Sequence, residues 1–217
     1  MALAIFDLDN TLIAGDSDYL WGKFLIRKGA VEAEFFESEN ERFYAMYKAG
    51  TLDIMEYQHF SLKPLTLYDM DTLIAWHDEF MQTVIEPIYL PKAQALVDEH
   101  REKGDDLLII TATNSFVTRP IGHMYGITNL IGTDPEMLDG RFTGKVDGVP
   151  SFQSGKVTRL KSWLEDRHIS LEGSYFYSDS HNDQPLLELV DNPVVVDADE
   201  TLLKVAQRKN WPAISLR

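Results

Sequence analysis

The sequence predicts an α/β fold, and three features of the chain carry that prediction. Four short apolar runs recur along the chain, and each ends in polar residues. Helical patterns lie between most of these runs, which is the alternation that a parallel sheet requires. A block of about 70 residues with helical pattern follows the first run. Together these features predict a Rossmann-like doubly wound parallel sheet with an inserted helical cap.

The predicted strands are short and apolar, as expected for strands buried on both faces. They cover residues 3–8, 106–111, 174–179 and 193–199. The helical patterns associated with them cover 91–103, 116–125, 155–167 and 199–209. An Asp-Gly turn between β-prone flanks predicts a small hairpin within 136–146. Because ligands of doubly wound sheets bind beyond the carboxyl ends of the strands, the polar residues at these ends are candidates for a site.

Residues 14–86 interrupt the alternation of strand and helix. They are predicted as consecutive helices rich in aromatic residues, with Gly29 and Gly50 as breaks. These helices cover roughly 17–28, 31–48, 53–62 and 69–84. We therefore expect a core domain formed by 1–13 and 87–217 and a helical cap domain formed by 14–86.

Charge and composition restrict the partners of the chain. Its 217 residues carry a net charge of -15, whereas nucleic-acid-binding proteins usually have an excess of Lys and Arg, so no nucleic-acid partner is expected. There is no cysteine, which excludes disulfides and thiolate metal sites and fits a reducing compartment. No apolar run approaches the ~20 residues of a bilayer span, and the N-terminus lacks a signal-peptide pattern. A cytoplasmic location without a membrane partner is predicted, and the oligomeric state is left open.

Four polar clusters are expected to converge at the strand ends. They are Asp7 with Asp9, Thr111 with Thr113 and Asn114, Lys156, and Asp179 with Asp183. Two carboxylates 4 Å apart repel each other by roughly 4 kcal/mol at an effective dielectric of 20, so four together require compensation. A divalent cation offsets this repulsion. Oxygen ligands without His or Cys at metal-like spacing favour Mg²⁺ over zinc.

The spacing of Asp7 and Asp9 suits phosphoryl transfer. Asp7 would attack phosphorus, and Asp9 would protonate the departing oxygen and later deprotonate the hydrolytic water. Lys156 would supply positive charge, and Thr111 would donate its hydroxyl to a phosphoryl oxygen. The sequence therefore predicts a catalytic set of four residues.

The order of these motifs resembles the haloacid dehalogenase (HAD) superfamily of aspartate-based phosphatases. The matching positions are Asp7-Leu-Asp9-Asn-Thr11, Thr111, Lys156, Asp179 and Asp183. Helices inserted directly after the first motif are similar to the cap of the phosphoserine phosphatase-like branch, of HAD-IB type. The resemblance implies a Mg²⁺-dependent phosphomonoesterase that acts on a small phosphorylated metabolite through an aspartyl-phosphate.

The same resemblance implies the roles of the acidic residues. Asp7, the backbone carbonyl of Asp9, and Asp179 would bind Mg²⁺. Asp183 would hold a metal-bound water or Lys156. One departure from the family pattern is Ser178, where the family often has Gly.

The expected substrate follows from two positions in the cap. In phosphoserine phosphatases a glutamate nine residues after the nucleophile binds the substrate amino group, and that position is Asp16 here. An arginine nine residues after a Gly-x-Leu step binds the substrate carboxylate, and counting from 50–52 reaches His59. Neutral imidazole replaces a bidentate guanidinium poorly, which leaves a pocket with aromatic walls, acidic Asp16, Asp18 as a further candidate acid, and no carboxylate clamp. Such a pocket suits a cationic amino-alcohol phosphate, and within the phosphoserine phosphatase-like branch the resemblance implies L-histidinol phosphate as the best candidate. Thr113 and Asn114 complete the predicted substrate-binding set.

Several alternatives stay open from the sequence. Phosphoserine or another amino-alcohol phosphate is an alternative substrate, because Lys63 or Arg42 could replace the missing arginine. Asp16 could simply cap the first cap helix. A phospho-accepting receiver domain fits poorly, because its phosphorylated aspartate follows a middle strand and it has no cap. A hydrolytic dehalogenase has no use for the acid at Asp9, because halide leaves unprotonated.

Overall fold

The computed structural model describes residues 2–217, and its central element is a seven-stranded sheet. The strands are β1 Leu3–Phe6, β2 Asp106–Asn114, β3 Asn129–Leu138, β4 Arg141–Asp147, β5 Tyr175–Ser178, β6 Asn192–Val196 and β7 Ala213–Ile214. Their order is β4-β3-β2-β1-β5-β6-β7. All neighbouring pairs are parallel except β3 and β4, which are antiparallel at one edge. The first strand thus lies between β2 and β5, at the centre of the sheet.

Helices cover both faces of this sheet. They are α1 Ser17–Arg27, α2 Ala33–Ala49, α3 Ile54–Leu62, α4 Met70–Phe80, α5 Pro91–Glu102, α6 Ser115–Met124, α7 Ser154–Arg167, α8 Gln184–Leu187 and α9 Glu200–Lys209. Apolar residues of α5 and α6 join the core beneath one face, and those of α7, α8 and α9 join the core beneath the other. The α/β doubly wound architecture predicted from the sequence is confirmed.

The alternation of side chains along β1 explains these two cores. Ala4 and Phe6 belong to one apolar cluster, while Leu3 and Ile5 belong to the other. Successive side chains of a strand point to opposite faces, so a fully apolar strand is buried on both sides. Because both faces of β1 are packed, the end of this strand has a fixed position in the sheet, and so does Asp7, which follows it.

The helices α1 to α4 occupy the stretch between β1 and α5. Buried aromatic residues hold this region together, and the Trp21 ring stacks on Phe24 and meets Phe80 edge-on. Helix α4 continues into a π-helical turn, Met81–Ile85, rather than running on to residue 84 as an α-helix. The division into a core domain and a cap domain stays a prediction, although α1 to α4 lie where the cap helices are predicted.

Two strands differ from the sequence prediction. The predicted hairpin is the outer part of longer strands, because β3 begins at Asn129 and pairs in parallel with β2 before it turns back into β4. Strand β3 contains Gly132 and Pro135, which are uncommon within strands, so residue propensities do not identify this strand. Strand β7 spans only two residues, which is too short for a periodic pattern. No helix within residues 2–217 is long and apolar enough to cross a bilayer.

Candidate active site

Asp7 stands at the carboxyl end of the central strand. Its backbone N–H donates to the Tyr177 carbonyl at 2.9 Å, which extends the ladder between β1 and β5 by one residue. The chain then turns, with Asn10 at a φ of 57° and the N–H groups of Thr11 and Leu12 directed at the Leu8 carbonyl. A residue with left-handed backbone angles interrupts the extended conformation, so the chain changes direction at this point. The chain thus leaves the strand direction just after Asp9, and Asp9 lies close enough to Asp7 for its charge to raise the pKa of the Asp7 carboxyl.

Lys156 links two of the predicted acidic residues. Its Nζ lies 2.8 Å from Asp7 Oδ1 and 2.7 Å from Asp183 Oδ1, and all three side chains are buried. Lys156 belongs to the first turn of α7, on the opposite side of the sheet from α5. Ser178 Oγ donates to Asp183 Oδ2 at 2.8 Å, so the serine found in place of glycine adds a hydrogen bond to the cluster.

Asp9 accepts hydrogen bonds from two threonines in the second half of β2. Thr113 Oγ1 donates to Asp9 Oδ2 at 2.8 Å and Thr111 Oγ1 donates to the same oxygen at 3.2 Å. The backbone N–H of Ser17 donates to Asp9 Oδ1 at 2.6 Å. In this arrangement the Thr111 hydroxyl is directed at the predicted acid/base, not at an open phosphate position. Thr111 and Thr113 both lie at the predicted place, with Asp9 as their common partner.

Asp179 is held next to the first motif by Thr11. Thr11 Oγ1 donates to Asp179 Oδ1 at 3.3 Å, and the Asp179 backbone N–H donates to Thr11 Oγ1 at 3.1 Å. Asp179 follows β5, the direct neighbour of β1, so the two acidic strand ends lie side by side. The structure therefore brings all the predicted catalytic and metal-binding residues to one edge of the sheet.

The electrostatics of this cluster call for positive charge beyond Lys156. Burial raises the pKa of the Asp7 carboxyl, and Lys156 only partly opposes this while the Asp183 and Asp9 charges add to it. Burial and the Asp7 charge also hold the pKa of Asp179 well above its usual range. Burial disfavours the charged form of Lys156, but the Asp183 and Asp7 carboxylates outweigh it and raise its pKa. A buried carboxylate pair of this kind is a chemically suitable site for a hard cation.

The donor set for such a cation consists of oxygen atoms. Asp7, Asp179 and the backbone carbonyl of Asp9 could hold Mg²⁺, which prefers carboxylate, carbonyl and water ligands. In residues 2–217, no three His, Cys, Asp or Glu side chains are grouped so that they could hold a metal together.

A small cavity lies between the strand ends and the cap helices. Its volume is about 50 Å³, and both the catalytic residues and α1, α2 and α3 contribute to its walls. The lining residues include Asp7, Asp9, Lys156 and Asp183 from the strand side, and Asp16, Asp18, Tyr19, Tyr44, Tyr47 and Tyr57 from the cap side. The cavity therefore connects the acidic strand ends with the cap helices.

The predicted substrate residues are placed less uniformly than the catalytic ones. Asp16 lines the cavity, and it also caps α1, since its Oδ1 accepts from the N–H groups of Asp18 and Tyr19. Asn114 is buried beside the cavity; its Oδ1 caps α6 and its Nδ2 donates to Asp18 Oδ1 at 3.3 Å. His59 is exposed on α3 and lies outside the cavity. The structure does not bring His59 to the site.

Tyr47, Tyr57 and Asn182 are among the cavity-wall residues that were not predicted from the sequence as site residues, whereas Asp18 was considered beside Asp16 as an acidic residue of the pocket. Asp18 accepts from the Tyr57 hydroxyl at 2.7 Å. Tyr47 donates its hydroxyl to Ser180, and Asn182 Nδ2 donates to the Tyr47 carbonyl at 3.1 Å, so these two connect α2 to the loop that carries Asp179 and Asp183. The signal for Asp18 was present, because it is a second acid two residues after Asp16. The sequence contained no signal that identified the individual tyrosines as site residues, because aromatic residues at helical spacing usually belong to a core.

Comparison with known proteins agrees with this geometry. The model of the haloacid dehalogenase-like hydrolase family matches residues 4–188. A histidinol-phosphatase from Neisseria meningitidis is 48% identical over 219 residues, which cover 99% of each chain.

Two solved structures are similar to this one as well. A protein of unknown function from Bordetella pertussis Tohama I has a TM-score of 0.94 at 43% identity, with 100% of this chain and 99% of that chain covered. A phospho-aspartyl intermediate analogue of a phosphoserine phosphatase has a TM-score of 0.72 at 16% identity, covering 100% and 93% of the two chains, and it supports the fold alone. The chain therefore belongs to the haloacid dehalogenase-like hydrolase family, and it is a phosphatase of that family.

Proposed function

We propose that this phosphatase is a Mg²⁺-dependent phosphomonoesterase that forms an aspartyl-phosphate at Asp7. The observation that carries the proposal is the pairing of two carboxylates with different surroundings at the end of β1. Asp7 Oδ1 contacts the Lys156 ammonium, which stabilises it as an anion, whereas Asp9 accepts two hydroxyl donors and one backbone N–H. Different surroundings suit different roles, with an anionic nucleophile and a group that exchanges protons.

In the proposed reaction, Asp7 attacks phosphorus and the bond to the leaving oxygen breaks. Asp9 donates a proton to that oxygen in the first step. In the second step Asp9 accepts a proton from water, whose oxygen attacks phosphorus, so the bond from phosphorus to Asp7 breaks and inorganic phosphate is released. Lys156 stabilises the negative charge on the phosphoryl oxygens and keeps Asp7 in place, because its ammonium also contacts Asp183. Thr111 and Thr113 hold the Asp9 carboxylate beside Asp7.

Mg²⁺ would be held by Asp7, Asp179 and the Asp9 carbonyl, and when bound it neutralises the carboxylates and the phosphate. Thr11 supports this arrangement by fixing Asp179 through two hydrogen bonds. Asp183 would keep Lys156 in position rather than contact the phosphate. The cytoplasmic location predicted from the sequence stays a prediction.

We propose L-histidinol phosphate as the substrate. Two observations support it: the 48% identity over the full length to a protein named histidinol-phosphatase, and the charge of the cavity wall. Among the cavity residues, all within the described chain, Lys156 is the sole Lys or Arg, and it is already engaged by Asp7 and Asp183. A substrate carboxylate would therefore find no cation on the cap side, which disfavours phosphoserine.

The test is phosphate release from L-histidinol phosphate and from L-phosphoserine under the same conditions with Mg²⁺. We expect kcat/KM to be at least about tenfold higher for L-histidinol phosphate, a ratio that corresponds to about 1.4 kcal/mol of transition-state binding. Equal values, or a higher value for phosphoserine, would reject the substrate. Release of phosphate from a generic aryl phosphate tests the phosphomonoesterase activity separately.

A further inference from the structure

Asp18 is a buried carboxylate that faces the cap side of the active-site cavity. Its side chain accepts from the Tyr57 hydroxyl at 2.7 Å and from Asn114 Nδ2 at 3.3 Å. The residue is 6% exposed, and burial raises the pKa of its carboxyl to about 7, with the hydrogen bond from Tyr57 opposing the rise. Two neutral donors stabilise a buried carboxylate less than an opposite charge does. Asp18 is therefore a carboxylate whose environment lacks a cation.

Asp16, two residues earlier, has different hydrogen-bond partners. Its Oδ1 accepts from two backbone N–H groups at the start of α1, where the helix dipole favours negative charge. Asp16 is thus engaged by the helix that it caps. Asp18 lies in the first turn of α1 itself, and it takes its donors from α3 and from the start of α6 instead. Burial raises the pKa of both carboxyls, and the Asp9 charge adds to the rise at Asp16, whose pKa reaches about 8. What distinguishes Asp18 is that its carboxylate accepts only from side-chain donors of other elements.

The walls around Asp18 suit an organic cation. Tyr57 contacts Asp18 directly, and its ring meets Phe43 edge-on at a centroid distance of 5.3 Å. Tyr19 and Tyr44 form a second aromatic pair in the wall, 5.1 Å apart. Faces of aromatic rings attract ammonium groups, and the attraction grows when the site is shielded from water. Lys23 and Lys48 already lie over the Tyr19 and Tyr44 rings, so the Asp18 carboxylate supplies the main attraction for a cationic group.

We propose that Asp18 is the specificity-determining residue that binds the cationic group of the substrate, with Tyr57 and Asn114 holding its carboxylate in place. This inference rests on the proposed function and names the residue that selects a cationic phosphomonoester. In the closed cavity the cation would lie on the cap side, and the phosphoryl group would lie at Asp7 on the strand side. Asp18 takes no part in bond making or breaking.

The test compares Asp18→Asn with the unchanged enzyme on two substrates, L-histidinol phosphate and p-nitrophenyl phosphate, which carries no cation. We expect kcat/KM to fall at least about tenfold more for L-histidinol phosphate than for the aryl phosphate, and chiefly through KM. The aryl phosphate activity also reports whether the variant is folded. Asp53→Asn is the matched control, because it removes one carboxylate from an exposed helix cap of α3 and should leave the ratio of the two substrates unchanged.

Asp16→Asn separates the two candidate carboxylates. If Asp18 binds the cation, Asp16→Asn changes the substrate ratio less than Asp18→Asn does. A larger change with Asp16→Asn, or an equal loss on both substrates with Asp18→Asn, would overturn the proposal. Tyr57→Phe should cause a smaller change of the same sign, since it removes one donor from Asp18 and keeps the carboxylate.

A second measurement distinguishes failure of this proposal from failure of the proposed substrate. L-Histidinol is tested as an inhibitor of p-nitrophenyl phosphate hydrolysis. If L-histidinol phosphate is not hydrolysed but L-histidinol inhibits, and Asp18→Asn weakens the inhibition at least about tenfold, only the proposed substrate fails. Lack of inhibition of the unchanged enzyme, or equal inhibition of Asp18→Asn, would overturn the role of Asp18.

Discussion

The strand side and the cap side of the active site are built in different ways. On the strand side, Asp7, Asp9, Lys156 and Asp179 meet through backbone ladders and direct contacts at the end of a buried parallel sheet. On the cap side, Asp18 and its neighbours meet through side chains of helices that pack against each other. In a sheet, the pairing register fixes the position of each residue, because a shift by one residue would turn every side chain to the other face. In a helix, the side chains of one turn point in all directions around the axis, so the packing of the helix decides which of them enters the site. Under the proposed function, the chemistry is carried by the more rigidly determined side and substrate selection by the other.

This contrast predicts that substitutions on the strand side affect turnover and that those on the cap side affect selection. The largest effect is expected for Asp7→Asn. The amide is not a nucleophile toward phosphorus, so kcat should fall at least about a thousandfold, as with the loss of other enzymic nucleophiles. Phosphate release from p-nitrophenyl phosphate measures it. Near-normal turnover would show that a water, not Asp7, attacks phosphorus.

Removal of the metal should have a comparable effect. Excess chelator should abolish turnover, and added Mg²⁺ should restore it, because Asp7 and Asp179 repel a phosphate dianion without a cation. Ca²⁺ should inhibit, since its longer bonds and higher coordination number place Asp7 less well for attack. Activity undiminished by chelator would reject the metal requirement. Activity in Ca²⁺ equal to that in Mg²⁺ would reject only the geometric explanation of inhibition.

Asp9→Asn should reduce kcat by about 10²- to 10⁴-fold, which is the usual contribution of a general acid or base. The backbone carbonyl stays in place, so the Mg²⁺ concentration for half-maximal activity should change little. Measuring both quantities separates proton transfer from metal binding. A large shift in the Mg²⁺ requirement together with unchanged kcat at saturating Mg²⁺ would place Asp9 in the metal site alone.

Most of the strand side could be predicted from the sequence, for a physical reason. Apolar runs that end in acidic residues specify both a strand and the polar group at its end, and parallel strands bring those ends together. What could not be predicted is the partner of each group: Thr111 contacts Asp9, and Ser178 supports Asp183. These details depend on rotamers and on the turn at Asn10, which a linear pattern does not show.

The cap side was predicted less well because helix packing decides it. Counting nine residues from a Gly-x-Leu step reaches His59, but Tyr57, two positions earlier on α3, is the residue whose side chain enters the site. Two residues rotate a helix by about 200°, so a small register error moves a side chain to the opposite face. Asp16 lies in the cavity wall as expected, and it is also the helix cap that the sequence left open as an alternative.

Loss of a contact between the strand side and the cap side should reduce activity less than loss of a catalytic residue. Asn182 donates to the Tyr47 carbonyl and accepts from Gln153, so it joins α2 to the loop that carries Asp183. Asn182→Ala should weaken the closed cap by about 1 kcal/mol and raise KM for L-histidinol phosphate about fivefold. The kcat at saturation should change less than KM. Gln184→Ala, which removes a hydrogen bond to Glu188 instead, is the control for the segment.

A fall in kcat of more than about tenfold with an unchanged KM would contradict this interpretation of Asn182. It would mean that the residue positions Asp183 and Lys156 for the reaction and that the contact with α2 is incidental. The distinction matters because α2 contributes to the cavity wall, so the Asn182 contact with α2 would act on the cap and not on the reacting groups.

The smallest effect is expected for His59→Ala, and it sharpens the comparison most directly. His59 is exposed on α3 and lies outside the cavity, so its loss should change kcat/KM for L-histidinol phosphate and for L-phosphoserine by less than about twofold. Met55→Ala, at another exposed position of the same helix, controls for nonspecific effects on α3. An increase in KM of about tenfold for one substrate only would mean that α3 rotates when the cap opens and presents His59 to the ligand. In that outcome the counted register describes the open enzyme, and Tyr57 and Asp18 contact the substrate only after closure.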